Sequence, residues 1–206
     1  MTVKLKHYNN GSMKELQTTK ITIMKYLILI FLLTAGLQTQ AQKMWTQTGD
    51  ITFYSKAPLE DIEAENHSVS SVINMENGDI VFSLLISAFE FEKALMQEHF
   101  NEKYLHSDKF PKSTFKGKIQ NVGSISMNKP GTYELDVSGE LTIHGQTNPV
   151  STTMSFTIED ENKMEATSEF IVTLADYQVE IPKMVKENIS ETILIKVNMD
   201  YVPFKK

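Results

Sequence analysis

Residues 131–160, GTYELDVSGELTIHGQTNPVSTTMSFTIED, show most clearly which fold this chain adopts. Apolar residues alternate with polar ones in the first half, at Tyr133, Leu135, Val137, Leu141 and Ile143. The second half repeats the alternation at Val150, Met154, Phe156 and Ile158. A period of two indicates strands with one apolar and one solvated face. Because HGQTNP between the halves is rich in turn-forming residues, the stretch predicts a β-hairpin.

The same alternation recurs on both sides of this hairpin and predicts an all-β domain of eight strands. The predicted strands span residues 49–55, 66–74, 78–91, 113–122, 131–145, 149–160, 164–174 and 191–202. Strands that each have one apolar face pack as two sheets or close into a barrel without open edges. An eight-stranded barrel has an interior that side chains fill, or that holds one small ligand.

One helix interrupts the strand patterns, at residues 91–105. Met96, Phe100 and Tyr104 are spaced i, i+4 and i+8, so they share one side of it. Pro111 disfavours a helical conformation at the residue before it, and the helix must end earlier. We expect this helix to cap an open end or edge of the sheet. Residues 176–188, DYQVEIPKMVKEN, are compatible with a second short helix or a loop.

The N-terminal region has the pattern of a secretory signal peptide rather than of a folded element. Lys25 precedes an apolar run at residues 26–37, and Thr39 and Ala41 suit a cleavage site before Gln42. The run is too short for a membrane-spanning helix, which needs about 20 apolar residues. We therefore predict a signal peptide at residues 24–41 and one domain at residues 42–206. Residues 1–23 are interpreted as an upstream over-extension of the reading frame.

The composition excludes several classes of partner. All 20 basic residues are lysines, and arginine is the usual residue for bidentate contacts with phosphates and bases. Removal of residues 1–41 takes away five lysines and one of the 26 acidic residues, which leaves a net charge of −10. This charge argues against nucleic acid and anionic membranes. The chain has no cysteine, so it lacks disulfides and a lipid-anchoring thiol.

No motif for catalysis is present, and we predict that the protein is not an enzyme. The chain lacks a G-x-S-x-G nucleophile motif, a phosphate-binding loop and a dinucleotide fingerprint. His99 and His106 are seven residues apart, so on a helix they would share a face and could hold a metal with Asp108. Zinc sites usually show closer ligand spacing and a clear third ligand, so a solvated or hydrogen-bonded role is favoured.

The faces predicted to point inward carry almost no ionisable residue. Thirteen of their residues are candidates for the lining of a cavity: Phe82, Leu84, Ile86, Phe115, Tyr133, Leu135, Val137, Leu141, Met154, Phe156, Phe170, Ile193 and Ile195. Such an interior is either an ordinary core or, in part, a site for an apolar molecule. The sequence does not separate these alternatives, because a filled and a hollow barrel share the same alternation.

Two motifs resemble those of the YceI-like family. The first, H/Y-L-x-S-x-x-F/Y-P-x-x-x-F, is matched by Tyr104, Leu105, Ser107, Phe110, Pro111 and Phe115. The second, G-x-L-T-x-x-G-x-T-x-x-V, is matched by Gly139, Leu141, Thr142, Gly145, Thr147 and Val150. Both occur in the family's order, and the resemblance spans the chain from residue 42. The helix lacks the arginine that many members carry, so head-group contacts are not transferred.

The resemblance implies an eight-stranded, lipocalin-like antiparallel barrel with one capping helix. It also implies an exported carrier of an isoprenoid-type or other long apolar lipid, held inside the barrel. The expected ligand is a polyisoprenoid or an isoprenoid quinone, with no metal and no other cofactor. The expected location is the periplasm or the medium. The protein is either a monomer or a homodimer. The alternative function is that of a structural or stress-related exported domain, which has a filled core and acts through a protein partner.

Overall fold

The computed structural model describes residues 43–204. The predicted upstream segment at residues 1–23 and the predicted signal peptide at residues 24–41 lie outside the described residues. Among the described helices, none combines the length and the apolar character that crossing a membrane requires.

Nine antiparallel strands form a single sheet that closes on itself. They are β1 Lys43–Lys56, β2 Asp61–Asn74, β3 Asp79–Leu85, β4 Glu90–Phe91, β5 Lys112–Ile119, β6 Gly131–Ile143, β7 Gln146–Asp160, β8 Lys163–Thr173 and β9 Thr192–Pro203. The order β1-β9-β8-β7-β6-β5-β3-β2 is closed by pairing of β2 with β1, and the two-residue β4 pairs only with β2. The prediction of an eight-stranded antiparallel barrel is confirmed, and the two-sheet alternative is excluded.

The hairpin at residues 131–160 is present, with a tighter turn than expected. Ile143 is paired with Gln146, so only His144 and Gly145 form the turn. Both residues have positive φ angles, 51° and 74°, as both central residues of a type I′ turn require. A Cβ at Gly145 would also collide with the ring of Phe110. The predicted turn residues Asn148 and Pro149 instead belong to β7.

The helical region is shorter and less regular than residues 91–105. Helix α1 spans Ala94–His99, and a π-helical turn continues it over Phe100–Tyr104. The predicted strand at residues 78–91 is broken by a 3-10 turn at Ile86–Ala88, after which β4 begins. In the segment 176–188, the helical structure is limited to short 3-10 turns, at Leu174–Tyr177 and Lys183–Val185.

The strand register separates the connections into two ends of the barrel. The turn at residues 57–60, the segment 86–111 with α1, the turn 144–145 and the segment 174–191 all lie at one end, which we call the mouth end. The connections at residues 75–78, 120–130 and 161–162 lie at the other, which we call the floor end. Helix α1 therefore belongs to the mouth end, as the predicted capping helix requires.

Candidate functional site

The floor end of the barrel is filled by its own side chains. Met44, Phe156, Met199 and Tyr201 are fully buried there. The hydroxyl of Ser71 donates to the carbonyl oxygen of Val81 at 2.9 Å. The phenol hydroxyl of Tyr201, 2.6 Å from the Ser71 oxygen, therefore donates to it. Burial raises the pKa of Tyr201, so this phenol stays protonated and partnered at neutral pH.

A cavity of about 410 Å³ occupies the half of the barrel nearer the mouth end. Its base is formed by residues near the middle of the strands, including Val137, Met154 and Val197. Aliphatic and aromatic side chains make up most of its wall, as is typical of sites for apolar small molecules. The barrel is therefore closed at the floor end and hollow at the mouth end.

Ten of the thirteen candidate lining residues border this cavity. They are Phe82, Leu84, Ile86, Phe115, Val137, Leu141, Met154, Phe170, Ile193 and Ile195. The structure brings them together from β3, β5, β6, β7, β8, β9 and the turn after β3. Whether any of them contacts a ligand stays a prediction.

Tyr133, Leu135 and Phe156 do not border the cavity. Phe156 is 0% exposed and belongs to the filled floor end. Val137 is opposite Ile119, the last residue of β5, so β6 extends past β5 toward the floor end. Tyr133 and Leu135 lie on that extension and pack against the core. For these three residues, the alternation predicted which face of the strand points inward. It did not predict whether each residue lies at the level of the cavity or of the filled floor end.

The roof of the cavity is an aromatic cluster that sequence analysis identified only in part. Met96, Phe100 and Tyr104 border the cavity, as the predicted covering side of the helix requires. Phe100 also contacts Phe53, Phe89 and Phe91, with ring centroids 5.0 to 5.6 Å apart. The alternation in residues 49–55 was the available signal for Phe53. Phe89 and Phe91 lay in the predicted strand at residues 78–91, on the face opposite Phe82 and Leu84. The 3-10 turn at Ile86–Ala88, which the sequence did not predict, breaks that alternation.

Polar contacts tie the segments around the mouth end to each other. Lys93 Nζ, at the start of α1, lies 2.8 Å from Glu60 Oε1 in the turn after β1. The hydrogen bond from Lys93 lowers the pKa of the Glu60 carboxyl and raises that of the lysine. In the same turn, the amide of Leu59 donates to the carbonyl of Glu187 at 3.0 Å. The turn thus holds both α1 and the segment after β8.

A histidine pair forms a second tie on the mouth end. His144 Nδ1 is 3.2 Å from the carbonyl oxygen of Tyr177, which only accepts hydrogen bonds. His144 Nδ1 therefore carries the proton, and its Nε2 accepts from His106 Nδ1 at 2.8 Å. His106 has a φ of 44° and lies after the helical turns. Its separation from His99 therefore does not place the two histidines on one helical face.

No group of three or more histidine, aspartate or glutamate residues within residues 43–204 is arranged to hold a metal ion. His106 is instead bound to His144, and His99 borders the cavity. The hydroxyls of two buried cavity residues, Ser113 and Ser168, donate to backbone carbonyls at 2.9 and 2.8 Å. The absence of metal and of catalysis stays a prediction. The geometry fits the accommodation of an apolar molecule.

Comparison with solved structures shows the same fold in proteins of low sequence identity. A polyisoprenoid-binding domain from Saccharophagus degradans, implicated in plant cell wall breakdown, aligns with a TM-score of 0.70 at 12% identity, over 80% of this chain and 100% of that one. BcnA from Burkholderia cenocepacia aligns with a TM-score of 0.61 at 14% identity, over 74% and 95%. A mutant YCEI protein from Campylobacter jejuni, crystallised with monobromobimane as guest, gives 0.54 at 15% identity, over 69% and 85%.

No curated protein matches the chain. The YceI-like domain matches residues 36–201, which is most of the sequence and includes every strand of the barrel up to the last residues of β9. Together with the hairpin and helix–proline motifs, this match shows that the chain belongs to the YceI-like family.

Proposed function

We propose that the protein binds a long apolar lipid of the isoprenoid type in the cavity of its barrel and carries it outside the cytoplasm. The observation that carries the proposal is the hollow mouth half, about 410 Å³ and lined mainly by aliphatic and aromatic side chains. Each methylene group moved from water into such an environment gains about 0.8 kcal/mol. A polyisoprenoid or an isoprenoid quinone would thus bind through burial of its chain.

The chemistry of the lining supports binding rather than catalysis. The ionisable side chains that border the cavity, among them Glu60 and His99, lie in the segments of the mouth end. The polar groups Ser113 and Ser168 on the strands are hydrogen-bonded to the backbone and are not poised as nucleophiles. An apolar chain can therefore lie deep in the barrel while a polar end group stays near Glu60 and His99.

Two further points support the proposal. A structural neighbour is described as a polyisoprenoid-binding domain, although at 12% identity it shares the fold alone. The predicted signal peptide at residues 24–41 supports export to the periplasm or the medium. The alternative of a structural domain with a filled core is disfavoured, because only the floor half of this barrel is filled.

Native mass spectrometry of the purified chain from residue 42 tests the proposal. We expect an apolar molecule in a ratio of about one per chain, or its uptake when geranylgeraniol is added. Ile195→Trp places a larger side chain in the cavity and should reduce uptake at least tenfold. Val81→Trp is the matched control on the outer surface of β3, where Val81 is 42% exposed and does not border the cavity. Absence of any bound or acquired apolar molecule in the wild-type protein would refute the proposal.

A further inference from the structure

Between β7 and β8, the barrel wall lacks backbone pairing over the half of the strands nearer the mouth end. β7 is paired with β6 from Gln146 onward, and β8 is paired with β9 as far as Thr173. The ladder between β7 and β8 ends at the pair Met154 and Ser168. Residues 146–153 of β7 and 169–173 of β8 therefore carry no ladder between them. We call this stretch the seam.

Side chains bridge the seam in place of the ladder. Ser168 Oγ donates to the carbonyl of Thr153 at 2.8 Å, and Asn148 Nδ2 donates to the carbonyl of Asp176 at 2.7 Å. Thr152 Oγ1 lies 3.1 Å from the carbonyl of Glu169 and 3.0 Å from Ser168 Oγ. A hydroxyl has one proton, so Thr152 donates to only one of these oxygens at a time. Rotation of a few side chains would release these bonds.

The local sequence explains why the ladder stops. Pro149 has no N–H group, and prolines in sheets occur at edges, where no ladder bond is needed. Pro149 is paired with Glu140 of β6 on its other side. In its first half β7 therefore behaves as an edge strand, although it lies within a closed barrel.

The seam is a thin part of the wall between the cavity and the outside. Val150, Thr152, Phe170 and Val172 border the cavity from its two strands. Ser168 at its lower end borders both the cavity and a depression on the outer surface. On the outer side, Ile171 of β8 is 66% exposed beside the seam.

We propose that the seam is a lateral portal through which the apolar chain of the ligand enters and leaves the cavity. This inference rests on the proposed function. At the mouth end, α1 and the neighbouring loops are held together by the Lys93–Glu60 contact and the His106–His144 hydrogen bond. Passage through the seam breaks no backbone ladder but requires release of the side-chain hydrogen bonds of Thr152, Ser168 and Asn148. The portal also lets a chain longer than the cavity extend outside.

A reversible cross-link tests the portal. The oxygens of Thr152 and Ser168 are 3.0 Å apart, so T152C/S168C places two sulfurs where a disulfide can form. The chain has no other cysteine. T132C/T157C is the matched control, since these oxygens are 3.2 Å apart on the paired strands β6 and β7, away from the seam. The readout is stopped-flow uptake of the uncharged fluorophore N-phenyl-1-naphthylamine, with and without dithiothreitol.

Oxidised T152C/S168C should take up the fluorophore at least tenfold more slowly than its reduced form, while the control pair shows no difference. Equal rates in the oxidised and reduced forms would overturn the portal. If the disulfide does not form, the variant T152V/S168A provides the test. This variant lacks the bridging hydroxyls and should take up the fluorophore several-fold faster than the wild type. An unchanged uptake rate in the folded variant would also overturn the portal. Equilibrium binding of geranylgeraniol is measured separately. Its absence would refute the proposed function itself, whereas binding with unaltered rates refutes only the portal.

Discussion

The ring of Phe100 lies nearly parallel to that of Phe53, at an angle of 23° and with centroids 5.5 Å apart. Phe53 belongs to β1 in the barrel wall, and Phe100 follows α1 in the roof. This contact therefore joins the roof directly to the wall. Because both residues also border the cavity, the packing of the roof and the shape of the binding site depend on the same rings.

Phe100→Ala should loosen the roof without unfolding the barrel. Phe100 contacts Phe53, Phe89 and Phe91, and each aromatic pair contributes about 0.5 to 1.5 kcal/mol beyond its buried area. We expect amide hydrogen exchange within residues 94–104 to accelerate at least tenfold, while exchange in β6 changes little. Leu95→Ala, also in this helical region but 61% exposed, should leave exchange nearly unchanged. Equal acceleration in the two variants would contradict the role of the cluster.

His144→Ala should destabilise the protein by about 1 to 3 kcal/mol. The substitution removes the acceptor for His106 and the donor to the Tyr177 carbonyl. It also places alanine at a φ of 51°, where glycine, asparagine, aspartate and histidine are tolerated better than alanine. Chemical unfolding measures the loss. His67→Ala is the control, because the side chain of His67 is 56% exposed. An equally large loss of stability in His67→Ala would show that the hydrogen bonds of the histidine pair do not stabilise the fold.

Gly139→Ala should destabilise the fold, whereas Gly123→Ala should not. A Cβ at Gly139 would collide with the backbone of Lys116 and Gly117 and with the ring of Phe115. Overpacking of this kind costs about 1 to 3 kcal/mol, and more where backbone must move. A Cβ at Gly123 meets nothing within 4 Å, so this variant should stay within about 0.5 kcal/mol of the wild type. Thermal and chemical unfolding of the two variants compare them directly.

Tyr201 should make stability fall at alkaline pH. Burial raises the pKa of its phenol in the folded protein, whereas in the unfolded chain the pKa is near its ordinary value of about 10. Above that value the unfolded chain loses the proton while the folded chain keeps it, so stability decreases as pH rises. Below it the contribution is fully present.

The measurement for Tyr201 is the difference between wild type and Tyr201→Phe in the pH dependence of chemical unfolding. At neutral pH the variant should lose about 0.5 to 1.5 kcal/mol, the contribution of the hydrogen bond with Ser71. Between pH 9 and 11 the gap should narrow, because only the wild type carries a titrating phenol at this position. A constant gap across this range would contradict a raised pKa in the folded state.

Several features were predictable because they depend on local pattern. The alternation around Tyr133 and Phe156 predicted the strands of the central hairpin, and both strands are present. The helical spacing of Met96, Phe100 and Tyr104 predicted a covering element, although the helix is shorter than expected and ends in a π-helical turn. The predicted strand began at Pro149, and the part of β7 before it, from Gln146, was missed. Proline is normally a turn residue, and nothing local shows that the adjacent strand will not pair there.

The amino-acid sequence by itself determined the all-β class, the single covering helix and the side of each strand that faces inward. Alternation encodes this side, because successive side chains point to opposite faces of a strand. Only the tertiary structure decided that the barrel closes, that Phe156 lies in the filled half and Phe115 in the hollow half, and that β7 and β8 separate at the seam. These features depend on how far each strand is shifted relative to its neighbours, and the period-two pattern of one strand carries no information about that shift.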